Sequence, residues 1–184
     1  MSLVGLKKRL LCLLKKEALK KGKFILSSGK TSNYYLDGRV ITLDAEGAYL
    51  VASIILKLIK DKKISALGGP TLGADPIVGA VAALSHIKKI PLKTFIVRKL
   101  AKKHGMRRKI EGPALKKGSK VILVDDVATT GKSLLEAKAA LEELGVKVKR
   151  AIVMVDRGEG AQEALKRVGC RLDAIFTLND LGIN

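Results

Sequence analysis

The sequence predicts an α/β fold: a doubly wound, mainly parallel sheet covered by helices on both faces. Three observations predict it. From Ile64 onward, short runs rich in β-branched residues alternate with helical stretches. One of those runs, Val121-Ile122-Leu123-Val124, is apolar without a break, as a strand buried on both faces must be. And 184 residues suit a single domain with one sizeable core.

The elements follow in order. Leu3, Leu6, Leu10, Leu13 and Leu14 share one helical face, with Lys7, Lys8, Lys15 and Lys16 mostly off it. A basic amphipathic helix can lie on a membrane, but a helix docked on the core with a wet lysine face explains the same pattern and is the expectation. A polar turn, Ser27 to Asn33, comes next. Asp44 is the expected N-cap of a helix reaching Ile59. Ile64 to Leu67 is a short strand, followed by a Gly/Pro turn and a helix from Ala74 to His86. Leu92 to Val97 is a strand, Arg98 to Gly112 a long basic loop, and Lys120 to Val124 the central strand. A helix from Gly131 to Leu144 stops at Gly145. Val148 to Val155 is a strand, Gly160 to Val168 a helix, and Leu172 to Leu178 the last strand. Ligands of such sheets bind outside the carboxyl ends of the strands. The chemistry is therefore expected in the loops starting at Gly68, Arg98, Asp125 and Asp156.

Composition narrows the function. Apolar residues make up 47% and charged residues 29%, and no apolar run reaches the roughly 18 residues of a membrane span. The first residues lack the long apolar run of a signal peptide, and Ser2 stands where myristoylation needs glycine. Two cysteines, Cys12 and Cys170, build neither a disulfide framework nor a four-ligand zinc site, so a cytoplasmic setting is expected. The charge is extreme: 36 basic against 17 acidic residues, a net +19. That attracts polyanions, either nucleic acid or a small phosphorylated substrate. Aromatics are only 3%, and the lysines are scattered rather than clustered, so nucleic acid is not the expected partner.

The most informative stretch runs from Val121 through Asp125-Asp126-Val127-Ala128-Thr129-Thr130-Gly131-Lys132-Ser133. Two acids end a buried strand, and a small hydroxyl-rich turn then opens a helix. Backbone N–H groups at such a helix start, with threonine and serine hydroxyls, cradle a phosphate. The stretch is not a Walker A loop, because Asp126 stands where that pattern needs its first glycine. Two carboxylates beside a phosphate cradle suit a ribose 5-phosphate, accepting from its 2′- and 3′-hydroxyls.

This stretch resembles the 5-phosphoribosyl 1-pyrophosphate (PRPP) signature of the type I phosphoribosyltransferases. Other segments resemble one branch, the orotate phosphoribosyltransferases. Phe24 to Asp37, with Ser28-Gly29-Lys30 and Tyr34-Tyr35, is similar to that branch's N-terminal signature. Val97-Arg98-Lys99-Leu100-Ala101-Lys102-Lys103-His104-Gly105 is similar to its mobile catalytic loop, and Asp156-Arg157 to its base-binding arginine. The resemblance implies a type I phosphoribosyltransferase-like sheet, a small N-terminal helix/strand hood over about 1–43, a PRPP-binding core over about 44–184, and a mobile basic loop. It implies transfer of ribose 5-phosphate from PRPP to orotate, giving orotidine 5′-monophosphate and pyrophosphate in pyrimidine biosynthesis. It also implies Mg2+ carried by PRPP with no direct protein ligand, and a homodimer with shared active sites.

Residue by residue, the resemblance makes Lys102, Asp125 and Asp126 the catalytic groups. Arg98, Lys99, Lys102, His104 and the run Asp125, Asp126, Val127, Ala128, Thr129, Thr130, Gly131, Lys132 and Ser133 would hold PRPP. Thr129 and Arg157 would hold orotate, with Tyr34 and Tyr35 beside it. The glycine-rich turn Gly68 to Ala74 would let backbone approach the pyrophosphate. Four positions depart from the family pattern: Ser27 and Leu72 replace lysines found in many members, and Leu100 and Lys103 replace acids of the mobile loop. Two other readings share the PRPP turn. One is a non-catalytic PRPP-sensing regulator, against which Lys102 and His104 speak. The other is a purine phosphoribosyltransferase, against which the aromatic N-terminal signature and Asp156-Arg157 speak.

Overall fold

The computed structural model describes residues 1–25, 31–59, 63–90, 92–99 and 109–183. Six strands form the main sheet: β3 (Ile64–Pro70), β4 (Lys93–Val97), β5 (Ile110–Glu111), β6 (Lys120–Ala128), β7 (Lys147–Asp156) and β8 (Arg171–Thr177). Their order is β5-β4-β3-β6-β7-β8. Every pairing is parallel except β4 with β5. From β3 the chain first moves outward to β4, then returns to β6 on the other side and proceeds to β7 and β8. The order reverses between β3 and β6, and that reversal opens a crevice at their carboxyl ends.

Successive residues of the central strands feed opposite cores. Ile122, Val124, Ile152 and Met154 pack with α1 (Leu3–Leu13), α3 (Ala45–Leu58) and α4 (Ala74–Ile87). Val121, Leu123, Ala151 and Val153 pack with α5 (Lys132–Glu142) and α6 (Ala161–Arg167). The period of two is present, but both phases are apolar because both faces are covered. In α1, Leu6 and Leu10 are buried as the leucine spacing requires, as is Leu14 just beyond it; Lys8 stays exposed, while Lys7 is half buried and its Nζ donates to Ile175 O at 3.2 Å. Ser2 Oγ caps α1 by accepting from Gly5 N at 3.1 Å, and Asp44 Oδ1 caps α3 by accepting from Gly47 N at 2.9 Å. No helix among the described residues is long and apolar enough to cross a membrane.

The structure corrects several element boundaries. The expected polar turn over Ser27 to Asn33 is partly a strand: β1 (Leu19–Ile25) and β2 (Thr31–Leu36) form an antiparallel pair apart from the main sheet, and 26–30 lie outside the described residues. β1 escapes the pattern because Lys20, Lys21, Gly22 and Lys23 are all exposed, so no apolar alternation marks it. A short α2 (Arg39–Thr42) follows β2. β3 runs through Gly68 and Gly69 to Pro70, so these glycines belong to the strand and not to a turn. Their role is space between neighbours: a Cβ on Gly68 would lie 2.2 Å from Phe95 O, and one on Gly69 would lie 1.9 Å from Val124 O. β6 extends past Val124 to Ala128, which puts Asp125 and Asp126 inside the strand that pairs with β7, Asp125 opposite Val153. The expected basic loop is shorter than Arg98 to Gly112, because β5 pairs with β4 and Arg98 N donates to Lys109 O at 2.7 Å.

Candidate functional site

A cleft of ≈ 350 Å³ lies at the carboxyl ends of β3 and β6, where the strand order reverses. Three walls enclose it. The first is Asp125, Asp126 and Val127 of β6, with Ser133 of α5. The second is Pro70-Thr71-Leu72-Gly73, which joins β3 to α4. The third is Tyr35 to Arg39, brought over from β2 and α2, with Lys99 at the end of β4.

Asp125 is 6% exposed. Its Oδ1 accepts from Asp126 N at 3.0 Å, and its Oδ2 accepts from Ser133 Oγ at 3.2 Å. Asp126 Oδ1 accepts from Val127 N at 2.7 Å. Burial, and then repulsion from Asp126, push the Asp125 carboxyl well above the ordinary range. Burial pushes Asp126 the same way, opposed by the Val127 N–H and by the charge of Arg39. Two acids are thus stored close together at a cost, which a ligand rich in donors or cations relieves.

Two glycines let the walls meet. A Cβ on Gly73 would lie 2.2 Å from Asp125 Oδ1 and 2.4 Å from Asp126 Oδ1. A Cβ on Gly38 would lie 2.8 Å from Asp126 Oδ2. Gly73, rather than the earlier pair Gly68 and Gly69, is the glycine that lets backbone approach the site. Thr71 Oγ1 donates to Asp75 Oδ2 at 2.7 Å and ties this wall to the first turn of α4.

The turn after β6 holds Thr129, half buried, and Thr130, exposed. Gly131 follows at φ +78, a conformation that suits glycine, and starts α5. Lys132 is exposed, its Nζ 4.0 Å from Glu136 Oε1. Arg157 stands beside this turn because its N–H donates to Ala128 O at 2.9 Å. Its guanidinium lies over the Tyr34 ring, with Cζ 5.1 Å from the centroid. Its Nε is 2.9 Å from Glu159 Oε1 without hydrogen-bond alignment, and is otherwise unpartnered and buried. A guanidinium held by stacking, with donors left over, is ready for a planar anion.

Of the residues expected from sequence, Asp125, Asp126, Val127, Ser133, Lys99 and Tyr35 line the one cleft. Ala128, Thr129, Thr130, Gly131 and Lys132 continue from it along the turn into α5, and Tyr34 and Arg157 form a stacked pair next to that turn. Arg98 sits on a neighbouring cavity with Lys99, its Nη1 3.5 Å from Glu111 Oε1. Lys102 and His104, with Ser27, Leu100 and Lys103, lie outside the described residues. Asp37, Gly38 and Arg39 are cleft residues that the sequence analysis left unassigned. A signal existed: a charged pair flanking a glycine directly after Tyr34-Tyr35-Leu36.

Among the described residues, no group of three His, Cys, Asp or Glu side chains could hold a metal ion alone. Asp125 and Asp126 offer a cation only a pair of oxygen-bearing groups at one wall, a donor set that fits a hard ion brought in on phosphate oxygens.

Comparison with known proteins agrees with this geometry. The family model of the phosphoribosyl transferase domain matches residues 40–179. An orotate phosphoribosyltransferase from Synechocystis sp. is 43% identical over 179 residues, 97% of this chain and 90% of that one. The orotate phosphoribosyltransferase of Mycobacterium tuberculosis, crystallised with Fe(III) dicitrate, superposes with a TM-score of 0.85 at 38% identity over 97% of this chain and 99% of that one. Its complex with PRPP gives a TM-score of 0.80 at 34% identity, with the same coverage. The chain belongs to the phosphoribosyl transferase family and, within it, to the orotate phosphoribosyltransferases, glycosyltransferases of pyrimidine biosynthesis.

Proposed function

We propose that this cleft binds PRPP and passes its ribose 5-phosphate to orotate with release of pyrophosphate. The observation that carries the reading is the pair of a buried Asp125 and a half-buried Asp126 beside the hydroxyl-rich turn that opens α5. The turn from Val127 to Ser133 holds the 5′-phosphate through backbone N–H groups and hydroxyls. Asp125 and Asp126 accept from the ribose hydroxyls and face the positive charge that grows on the ring as the C1–O bond to pyrophosphate breaks. Arg157 and Thr129 hold orotate, with Tyr34 and Tyr35 against its ring, so that its nitrogen meets C1 as the leaving group departs. Arg98, Lys99, Lys102 and His104 neutralise that leaving group.

PRPP would carry Mg2+ into the cleft beside Asp125 and Asp126, and the ion would supply Lewis-acid stabilisation of the departing charge. The protein orients the ribose, excludes water and holds the base.

Residues 1–43 act as a hood over the core of 44–184. The working unit is a homodimer in which one protomer's basic loop completes its partner's site. Exposed apolar side chains on helices that contact one another, Val40 on α2, Leu43 just after it, Tyr49 on α3 and Ile87 on α4, support self-association. Two free thiols support a cytoplasmic setting.

The test is direct. Incubate the protein with PRPP, Mg2+ and each of orotate, uracil, adenine and hypoxanthine, and measure pyrophosphate. Orotate alone should give rapid release. Faster turnover of adenine or hypoxanthine would overturn the assignment.

A further inference from the structure

We propose that Arg39 is a pyrophosphate ligand of this enzyme, delivered to the cleft by the hood. The inference rests on the placement of PRPP given above. With the 5′-phosphate at Val127 to Ser133 and the ribose against Asp125 and Asp126, the 1-pyrophosphate points to the other end of the cleft. That end is lined by Thr71-Leu72-Gly73, by Lys99 and by Tyr35 to Arg39.

The Thr71–Gly73 wall carries no cationic side chain. Leu72 is 64% exposed there, an apolar side chain where a doubly charged group must sit. Thr71 N is already committed to Val97 O at 3.0 Å. A polyphosphate in this half of the cleft needs cations from the opposite wall, and Arg39 is on it. Its charge reaches Asp126, whose carboxyl it helps keep ionised.

The guanidinium is also pre-positioned. Nε and Nη2 donate to Asp37 Oδ1 and Oδ2, both at 3.0 Å, in a two-pronged contact. Nη1 is unengaged among the described residues. The side chain is 47% exposed, so nothing in the core depends on it. Planar and always charged, the fork suits phosphate oxygens. Asp37 holds it in place, and an arriving pyrophosphate competes with Asp37 for the same donors.

The experiment measures four quantities on the wild type, Arg39→Ala and Arg39→Lys, with Mg2+ present: the Kd of pyrophosphate, the Kd of ribose 5-phosphate, and the KM of PRPP and of orotate. Arg39→Ala should weaken pyrophosphate and raise the PRPP KM by about tenfold or more. Ribose 5-phosphate affinity and the orotate KM should stay within about twofold. Arg39→Lys should recover part of the pyrophosphate affinity. Placing the charge on the facing wall, with Leu72→Lys in the Arg39→Ala background, should restore pyrophosphate binding. Unchanged pyrophosphate affinity in Arg39→Ala overturns the proposal. So does a rise confined to the orotate KM, which would make Arg39 a base ligand, and so does equal loss of both phosphate ligands, which would make it structural. If the wild type fails to turn over orotate, the functional reading falls instead, and the pyrophosphate arm still reads Arg39 alone.

Discussion

Arg157 and Tyr34 stack with 5.1 Å between guanidinium carbon and ring centre. One residue directly follows β7 of the core sheet and the other belongs to the separate β1–β2 sheet, so this contact is one of those that couple the two sheets. If Arg157 holds orotate, the hood positions the base from behind. Tyr34→Leu should then raise the orotate KM about fivefold through loss of the stacking contact, and Arg157→Ala should raise it further. Both variants should keep the PRPP KM near the wild-type value. A PRPP defect with normal orotate affinity would put the base on the wrong side of the cleft.

Gly73 offers a second probe. Its backbone, at φ −60 and ψ −37, accepts any residue, so alanine does not strain the chain. Its Cβ would nonetheless strike both Asp125 and Asp126. Gly73→Ala should fold with a near-normal melting temperature while kcat/KM for PRPP drops on the order of a hundredfold, as displaced carboxylates misplace the ribose. Kinetics paired with a thermal melt tests this, and normal kinetics would show that the acids do not touch substrate.

The acid pair also sets a pH dependence. Burial, and then Asp126, push Asp125 up to about 8. The unfolded chain titrates near the usual value of about 3.9. Between those values the folded state binds more protons than the unfolded one, so stability falls as pH rises through that window. Asp125→Asn removes the penalty. Without ligand, the variant should melt above wild type at pH 8, and the gap should shrink steadily toward pH 4. Thermal melts across that range decide the matter; a gap independent of pH would show that Asp125 is not the group responsible.

The leaving-group side is probed through Lys102. Lys102→Ala should lower kcat on the order of a hundredfold with little change in KM, the pattern of a contact that strengthens in the transition state. A raised KM with normal kcat would make it a ground-state binding residue.

Sharing of sites follows from mixing. Lys102→Ala and Asp125→Asn should each be nearly inactive alone. If each site combines one protomer's loop with its partner's acids, a hybrid dimer has one site with both defects and one intact site. Activity should return once subunits exchange. Continued inactivity in verified hybrids would assign each loop to its own site.

Much of the site was legible because its parts are local in sequence. The acids, the hydroxyl turn and Gly131 follow one another without a break, since a strand end, a turn and a helix start are consecutive pieces of backbone. The central strands were legible for a similar reason: burial on both faces makes every residue of Val121 to Val124 apolar. β1 was not legible, because a strand that pairs with one partner and stays in water needs no apolar alternation.

The sequence by itself determined the fold class, the family resemblance and the nature of the acid-and-turn site, because each is written in consecutive residues or a short period. Only the tertiary structure decided that Gly68 and Gly69 serve sheet packing while Gly73 serves the cleft. It alone brought Gly38 against Asp126, with Asp37 and Arg39 into the same cleft, and Tyr34 under Arg157. Those contacts span roughly ninety to one hundred and twenty residues and depend on how the chain crosses between β3 and β6. No periodicity records a meeting of that kind, since it is set by how the elements pack and not by the spacing of residues within any one of them.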